Sequence, residues 1–249
     1  MLNPRFLILF ALLALSGCAS GLEPVGIAQR QQLNTIALVP RLGDTLTWQH
    51  VGLIVFQNET ARPKGNWNLD ESVTQAIETN LSSKYQLQRF TGLDSPPDGN
   101  ESMQDVIEKL RKVGAGNVDA YLVITQGGWG DQIGNTNQVL HGLGVYSRSG
   151  AFSGSPSLVA VYAVFDMTLV DGHTFKILGK GFGMLPSSGG SIGDAINGYR
   201  LPYEELPLSA WSKSYDVLPP DRAKTLREAM ERVIKQSTPL GLQRMKLID

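Results

Sequence analysis

Cysteine is almost absent from this chain: one stands in 249 residues, at position 18. Without a second cysteine there can be no internal disulfide and no paired-thiolate metal site. Histidine is scarce too. His50, His141 and His173 are scattered, none sits with a second His, Cys or carboxylate at ligand spacing, and no H-E-x-x-H occurs. Neither zinc nor iron is expected, nor any other cofactor. An excess of one charge is also missing. The chain has 22 basic and 23 acidic side chains and no Lys/Arg cluster, which argues against nucleic acid as a partner, because phosphate binding needs a concentrated basic face. The apolar run Phe6 to Leu15 (FLILFALLAL) is too short to span a bilayer.

That run follows a short positive start, Met1 to Arg5, and fits the core of a signal peptide. Directly behind it, Leu15-Ser16-Gly17-Cys18 resembles the lipobox of bacterial lipoproteins, in which an aliphatic residue and two small ones precede an invariant cysteine. The resemblance implies that the Cys18 thiol takes a diacylglyceryl group, that residues 1–17 are then removed, and that the freed amine is acylated as well. Each buried methylene contributes about 0.8 kcal/mol, and two or more chains turn marginal membrane binding into stable anchoring. Ala19 follows the cysteine. In enterobacteria-like sorting an aspartate there retains a lipoprotein in the inner membrane, so the analogy points to the outer membrane, with the chain facing the periplasm. Loss of Arg5 with the signal leaves 21 basic and 23 acidic side chains, a formal charge of −2.

Residues 18–34 are polar, contain Gly and Pro, and lack a sustained period; they are expected to tether the lipid to a single domain over 35–249. Thr35 to Pro40 (TIALVP) and His50 to Gln57 (HVGLIVFQ) are β-rich apolar runs. Asn68 and Glu71 form a capping-box pattern ahead of a helix whose Leu69, Val73, Ala76, Ile77 and Leu81 share one face. Tyr85 to Phe90 alternates as a strand. A second helix carries Met103, Val106, Ile107, Leu110 and Val113 on one side and is stopped by Gly114. Ala120 to Thr125 reads as a buried strand. Val159 to Val170 reads as a long strand entering a two-residue Asp171-Gly172 turn, with Phe175 to Met184 returning antiparallel. The last helix begins after Pro219-Pro220-Asp221 and turns Leu226, Met230, Val233 and Ile234 inward. Two stretches look irregular, 127–157 and 186–219, although Gln138 to Tyr146 alternates well enough to be a strand itself. The fold class is therefore α/β of the α+β kind: a mixed sheet of about five to seven strands, two helices between the early strands, an antiparallel hairpin and a C-terminal helix.

The order of these elements resembles the fold shared by the amino-terminal domain of the Tol-system periplasmic protein, the curli secretion lipoprotein and the lipoprotein activators of peptidoglycan synthases. The residues that carry the likeness are TIALVP, LDESVTQAIETNLSSKYQLQRF, VGAGNVDAYLVITQG and TLVDGHTFKILGKG, about half of the mature chain. Where those families have a Thr-Gly turn, this chain has Asp171-Gly172-His173-Thr174.

Signals for catalysis are thin. Gly189-Gly190-Ser191-Ile192-Gly193 matches the G-x-S-x-G of a nucleophile elbow, but all three histidines precede Ser191, whereas in that hydrolase class the histidine follows. Gly127-Gly128-Trp129-Gly130 and Gly179-Lys180-Gly181-Phe182-Gly183 complete no nucleotide-binding pattern. The glycines at 179–183 instead mark a bulge or a place where another backbone passes close. Trp129, Tyr199, Tyr203, Trp211 and Tyr215 are candidate partner-binding aromatics. The expectation is a non-enzymatic lipoprotein, anchored through Cys18, that binds or assembles an envelope component, with a protein as partner. A subunit of a secretion or pore assembly that inserts 127–157 as a hairpin is one alternative, and a serine hydrolase using Ser191 is another.

Overall fold

The computed structural model describes residues 23–63, 65–93, 101–113, 117–150, 156–186, 198–211 and 218–249. The signal segment 1–17, Cys18, Gly114, Ser191 and Tyr215 lie outside the described residues.

Two five-stranded sheets and four helices form the described fold, which is α+β. The first sheet joins β1 (Thr35–Arg41), β4 (Gln86–Arg89), β5 (Ala120–Gln126), β10 (Phe165–Asp171) and β11 (Ile177–Phe182) in the order β11-β10-β5-β1-β4. Strand β1 is parallel to β4 and β5, while β10 runs antiparallel to both β5 and β11. The near-continuous apolar character of β1 and β5 follows from burial on both faces. On one face, Ile36, Leu38, Leu122, Ile124, Met167 and Leu169 meet α2 (Leu69–Leu81) and α4 (Pro220–Arg244). On the other, Ala37, Val39, Tyr121, Val123 and Val170 lie beneath Val106, Ile107 and Leu110 of α3 (Met103–Val113). Full burial of such a side chain stabilises by about 1.5–3 kcal/mol.

The second sheet is built largely from residues that read as loop. It joins β2 (Thr47–Val51), β3 (Glu59–Ala61), β8 (Leu143–Ser149), β9 (Pro156–Ala163) and β14 (Tyr203–Glu205) in the order β14-β9-β8-β2-β3. Two hairpin pieces, β6 (Gly128–Gly130) and β7 (Val139–His141), pair between the sheets in sequence, and β12 (Leu185–Pro186) pairs with β13 (Tyr199–Arg200). Among its described residues, the stretch 127–157 thus holds β6, β7, β8 and the start of β9. Its alternation at Gln138 to Tyr146 is split by Gly142, whose φ of +62° turns the chain from β7 into β8. The apolar side chains of β8 and β9 are buried inside the fold, not displayed as the outward face of an inserted hairpin.

Several other expectations give way to tertiary contacts. The supposed tether is docked from residue 23 onward. Glu23 bridges to Lys180 of β11, Val25 and Leu33 are buried, and a short helix, α1 (Ile27–Gln32), lies between them. The long strand Val159 to Val170 breaks at Val164, where the chain leaves the second sheet for the first. The Asp171-Gly172 turn is wider than two residues. The Asp171 amide donates to the Lys176 carbonyl, its carboxylate accepts from the amides of His173 and Thr174, and Phe175 carries the positive φ. Gly172 is demanded by crowding, since a Cβ there would stand 2.0 Å from the Val118 carbonyl oxygen. His50 to Gln57 is strand only as far as Val51. Asn68 occupies the N-cap of α2 in the left-handed region without a side-chain cap; the amides of Trp67 and Asn68 donate to the Asp44 carboxylate, and Glu71 pairs with Arg89.

The glycines of β11, and Gly183 just after it, do mark a close approach. A Cβ on Gly179 would meet the Glu23 carbonyl oxygen at 2.8 Å, one on Gly181 the Gly241 carbonyl oxygen at 2.4 Å, and one on Gly183 the Ser237 carbonyl oxygen at 2.7 Å. The N-terminal segment and α4 therefore sit directly on the strand. Helix α4 also packs on β9 and α2, so one helix spans both sheets.

Candidate functional site

Helix α3 covers only part of its face of the first sheet. Beyond its first turn, the outward side chains of the edge hairpin β10–β11 are left open, and residues of α3, β6 and the connections at Val164 and Met184 surround the gap. Register explains the composition. Asp166 pairs with Phe182 and Thr168 with Lys180, so these four share one face with Ile177, and Thr125 of β5 stands opposite Asp166. Met103 and Gln104 of α3 form one rim, and Trp129, Val164 and Met184 close the far side. The resulting cleft holds about 500 Å³, within the range of small-ligand sites and wide enough for a few side chains of a peptide.

Its far wall is an aromatic cluster. Trp129 lies 5.7 Å from Phe182 between ring centroids, and Phe182 meets Tyr199 edge-on at 5.2 Å. Arg244 of α4 places its guanidinium 4.4 Å from the Tyr199 ring centroid and donates from Nη1 to the Phe182 carbonyl oxygen at 2.6 Å. Removal from water lowers the Arg244 pKa from its ordinary value, and Tyr199 draws it partly back. These contacts hold the wall in place before any ligand arrives.

Asp166 is the carboxylate of the cleft. It is exposed to the cleft, and the protein packed beside it removes part of its hydration; this loss of solvent raises its pKa above the usual carboxylate range, and Lys180 offsets part of the shift. Gly127 packs against the carboxylate, and a Cβ there would come 3.1 Å from Oδ2. Behind Asp166 a smaller, polar recess of about 300 Å³ is lined by Arg62, Glu101, Gln126, Gly127, Gly128 and His141. Glu101 is buried, which alone would raise its pKa, but Arg41 at 2.6 Å and Lys109 bring it below the ordinary value. The site thus combines an apolar chamber with a charged annex, and Asp166 borders both.

Of the aromatics singled out from sequence, Trp129 and Tyr199 meet in this wall through Phe182, and Tyr203 belongs to the same apolar cluster on the side of the second sheet. Trp211 does not join them. It is buried in the main core, 5.4 Å from Trp48 and 5.5 Å from His50 between centroids, and it serves packing. Tyr215 lies outside the described residues. His50 has both ring nitrogens engaged, Nδ1 at 2.6 Å from the Ser147 hydroxyl and Nε2 at 3.0 Å from that of Ser149. His173 is exposed beside the β10–β11 loop, and His141 is an exposed residue of β7. Among the described residues no group of three His, Cys, Asp or Glu side chains gathers as a metal site.

Sequence reasoning missed Asp166, Lys180, Phe182 and Met103 as cleft residues. A usable signal was present: in the alternation of β11, Phe182 shares a face with Lys180, an apolar ring where a solvated face should be polar.

No protein-family model matches the chain, and no curated protein does. Among solved structures, protein XCC0632 of Xanthomonas campestris, from the family DUF330, is 14% identical with a TM-score of 0.36, covering 90% of this chain and 91% of that one. Lipoprotein GNA1162 of Neisseria meningitidis is 16% identical with a TM-score of 0.31, covering 82% of this chain and 99% of that one. Likenesses at this level leave the functional reading to the chain's own residues.

Proposed function

We propose that the chain is a non-enzymatic lipoprotein, anchored through Cys18 to the outer membrane on its periplasmic side, that holds an apolar segment of another envelope protein in the β10–β11 cleft. The cleft carries this reading. Its walls offer Trp129, Phe182, Ile177 and two methionines, 103 and 184; aromatic and thioether side chains provide large contact area and adapt to varied partners. Asp166, Lys180 and Gln104 stand around this surface as orienting polar groups. The anchor is supported by Leu15-Ser16-Gly17-Cys18 at the end of a signal-like segment.

Two measurements test the two halves. Mass spectrometry of the processed chain should find acyl groups on Cys18, with wild type in the outer-membrane fraction and Cys18→Ser released from it; an unmodified soluble wild type ends the anchor reading. A photoreactive residue at Ile177, in the mouth of the cleft, should crosslink in cells to a discrete envelope protein, and Trp129→Ala should weaken that crosslink. A pattern identical to that from the exposed surface position Lys224 would refute the cleft as the binding site.

A further inference from the structure

Between β2 and β3 the chain places four consecutive apolar side chains in water. Leu53 is 55% exposed, Ile54 57%, Val55 72% and Phe56 95%. Scattered surface hydrophobes are ordinary, but a contiguous run of this size marks an interaction site. The turn is also built. The Gln57 amide donates to the Ile54 carbonyl at 2.9 Å and the Asn58 amide to the Val55 carbonyl at 3.1 Å, forming the 3₁₀ turn Val55–Gln57. Side chains close the base, where the Gly52 amide donates to Asn58 Oδ1 at 3.0 Å and the Leu53 amide to Gln57 Oε1 at 3.1 Å. Gly52 is required there, because a Cβ would stand 2.2 Å from that of Gln57.

We infer that residues 53–56 form a membrane-inserting tip, a second contact with lipid that is independent of Cys18. Three observations select a bilayer over a protein groove as the occupant. The four side chains leave one short turn in succession and do not align along one strand or helix face, so a fluid apolar layer accepts them together where a fixed groove would match only some. The run contains no Trp, Tyr or Arg, the residues that dominate protein hot spots, and residues 51–58 contain no charge. The bonds that close the turn also engage backbone groups that would otherwise be desolvated on entering hydrocarbon. Only five residue steps separate Cys18 from the docked Glu23, at most about 17 Å of extended chain. Should Cys18 carry lipid, the folded body stays close to a bilayer, and a tip on the opposite sheet from Glu23 fixes its orientation.

The test uses residues 18–249 with Cys18→Ser, which retain every described element and carry no acyl group. With Phe56→Cys added, the sole cysteine takes an environment-sensitive fluorophore, and a matched chain carries it at Lys224→Cys on exposed α4. Vesicles of phosphatidylethanolamine and phosphatidylglycerol should blue-shift the label at 56 and not at 224, with little dependence on salt. In the unlabelled chain, Phe56→Ser should weaken vesicle co-sedimentation by about tenfold and Val55→Ser/Phe56→Ser by about a hundredfold, the scale of losing one and two apolar side chains from lipid. Binding that disappears with salt, that is unchanged by Val55→Ser/Phe56→Ser, or that is absent while the chain self-associates through the tip would overturn the proposal. Since no lipid anchor is present, a negative result leaves the acylation of Cys18 untouched.

Discussion

The close seating of α4 on β11 can be tested by a pair of glycine substitutions that differ in what the new methyl group meets. In Gly181→Ala the Cβ would lie 2.4 Å from the Gly241 carbonyl oxygen and 2.7 Å from Met245 Cγ. The first obstacle is backbone, so α4 must withdraw by roughly 1 Å, which forfeits a substantial share of the dispersion contacts beneath it. Met230, Val233, Ile234 and Leu242, the helix's own buried inward side chains, share the loss. Overpacking of this kind costs about 1–3 kcal/mol, and relief of glycine's entropic cost in a strand returns about 0.5–1. A net loss of about 1–2 kcal/mol corresponds to about 2–8 °C in melting temperature for a chain of this size. Gly241→Ala probes the same contact from the helix side with the opposite result. Its Cβ would meet Met167 Sδ at 2.9 Å, the mobile end of a flexible side chain, while alanine in a helix interior gains up to about 1 kcal/mol over glycine. Its melting temperature should stay within about 2 °C of wild type. Thermal unfolding followed by far-UV circular dichroism reads both. If the two variants melt together, or Gly241→Ala is the less stable, the contact does not hold α4 as argued.

Three further outcomes are expected. Trp211→Ala should destabilise by about 3–5 kcal/mol in urea, as loss of a buried aromatic does, while Tyr203→Ala on the half-buried edge strand costs clearly less; equal midpoints would contradict the placement of Trp211 in the core. Asp166 has a folded pKa above its unfolded value, so its stabilising contribution is present below about pH 4 and is lost as pH rises through the folded pKa. Asp166→Asn should therefore melt higher than wild type near pH 7 and match it near pH 3, with weaker partner crosslinking; a lower melting point near pH 7 would contradict the sign. Val25→Asp should undock the segment from residue 23 to Leu33 and speed tryptic cleavage after Arg30, whose Nη1 donates to the Lys246 carbonyl oxygen; an unchanged cleavage rate would mean that burial of Val25 does not hold the segment.

Periodicity alone located the elements whose neighbours in sequence are also their constraint. The helical faces at Leu69–Leu81 and Leu226–Ile234, and the two-sided apolar strands at Thr35 and Ala120, repeat their pattern over enough residues to be unambiguous. The glycines of β11 were also legible, because a strand that omits side chains at alternate positions leaves room for something to lie on it. The Cys18 context is likewise a property of sequence, read from a few adjacent residues.

What the sequence left open was decided by partners far along the chain. A polar segment such as 23–34 becomes part of the fold because Lys180 and Met245 accept its backbone at positions more than 150 residues away. The apolar run His50 to Gln57 has one composition but two fates: Val51 is covered because β8 lies beside it, and Phe56 is bare because no described element reaches the end of the hairpin. Burial depends on what stands opposite a side chain, and no local pattern encodes that. The cleft has the same origin. Asp166 and Lys180 fall within segments legible only as strands of a hairpin, and they become walls of a site because α3 stops short of them and Trp129 arrives from the connection between the sheets. Composition and period thus determined which segments could be helix or strand, whereas the matching of surfaces in three dimensions decided which apolar faces were covered and which were left to bind.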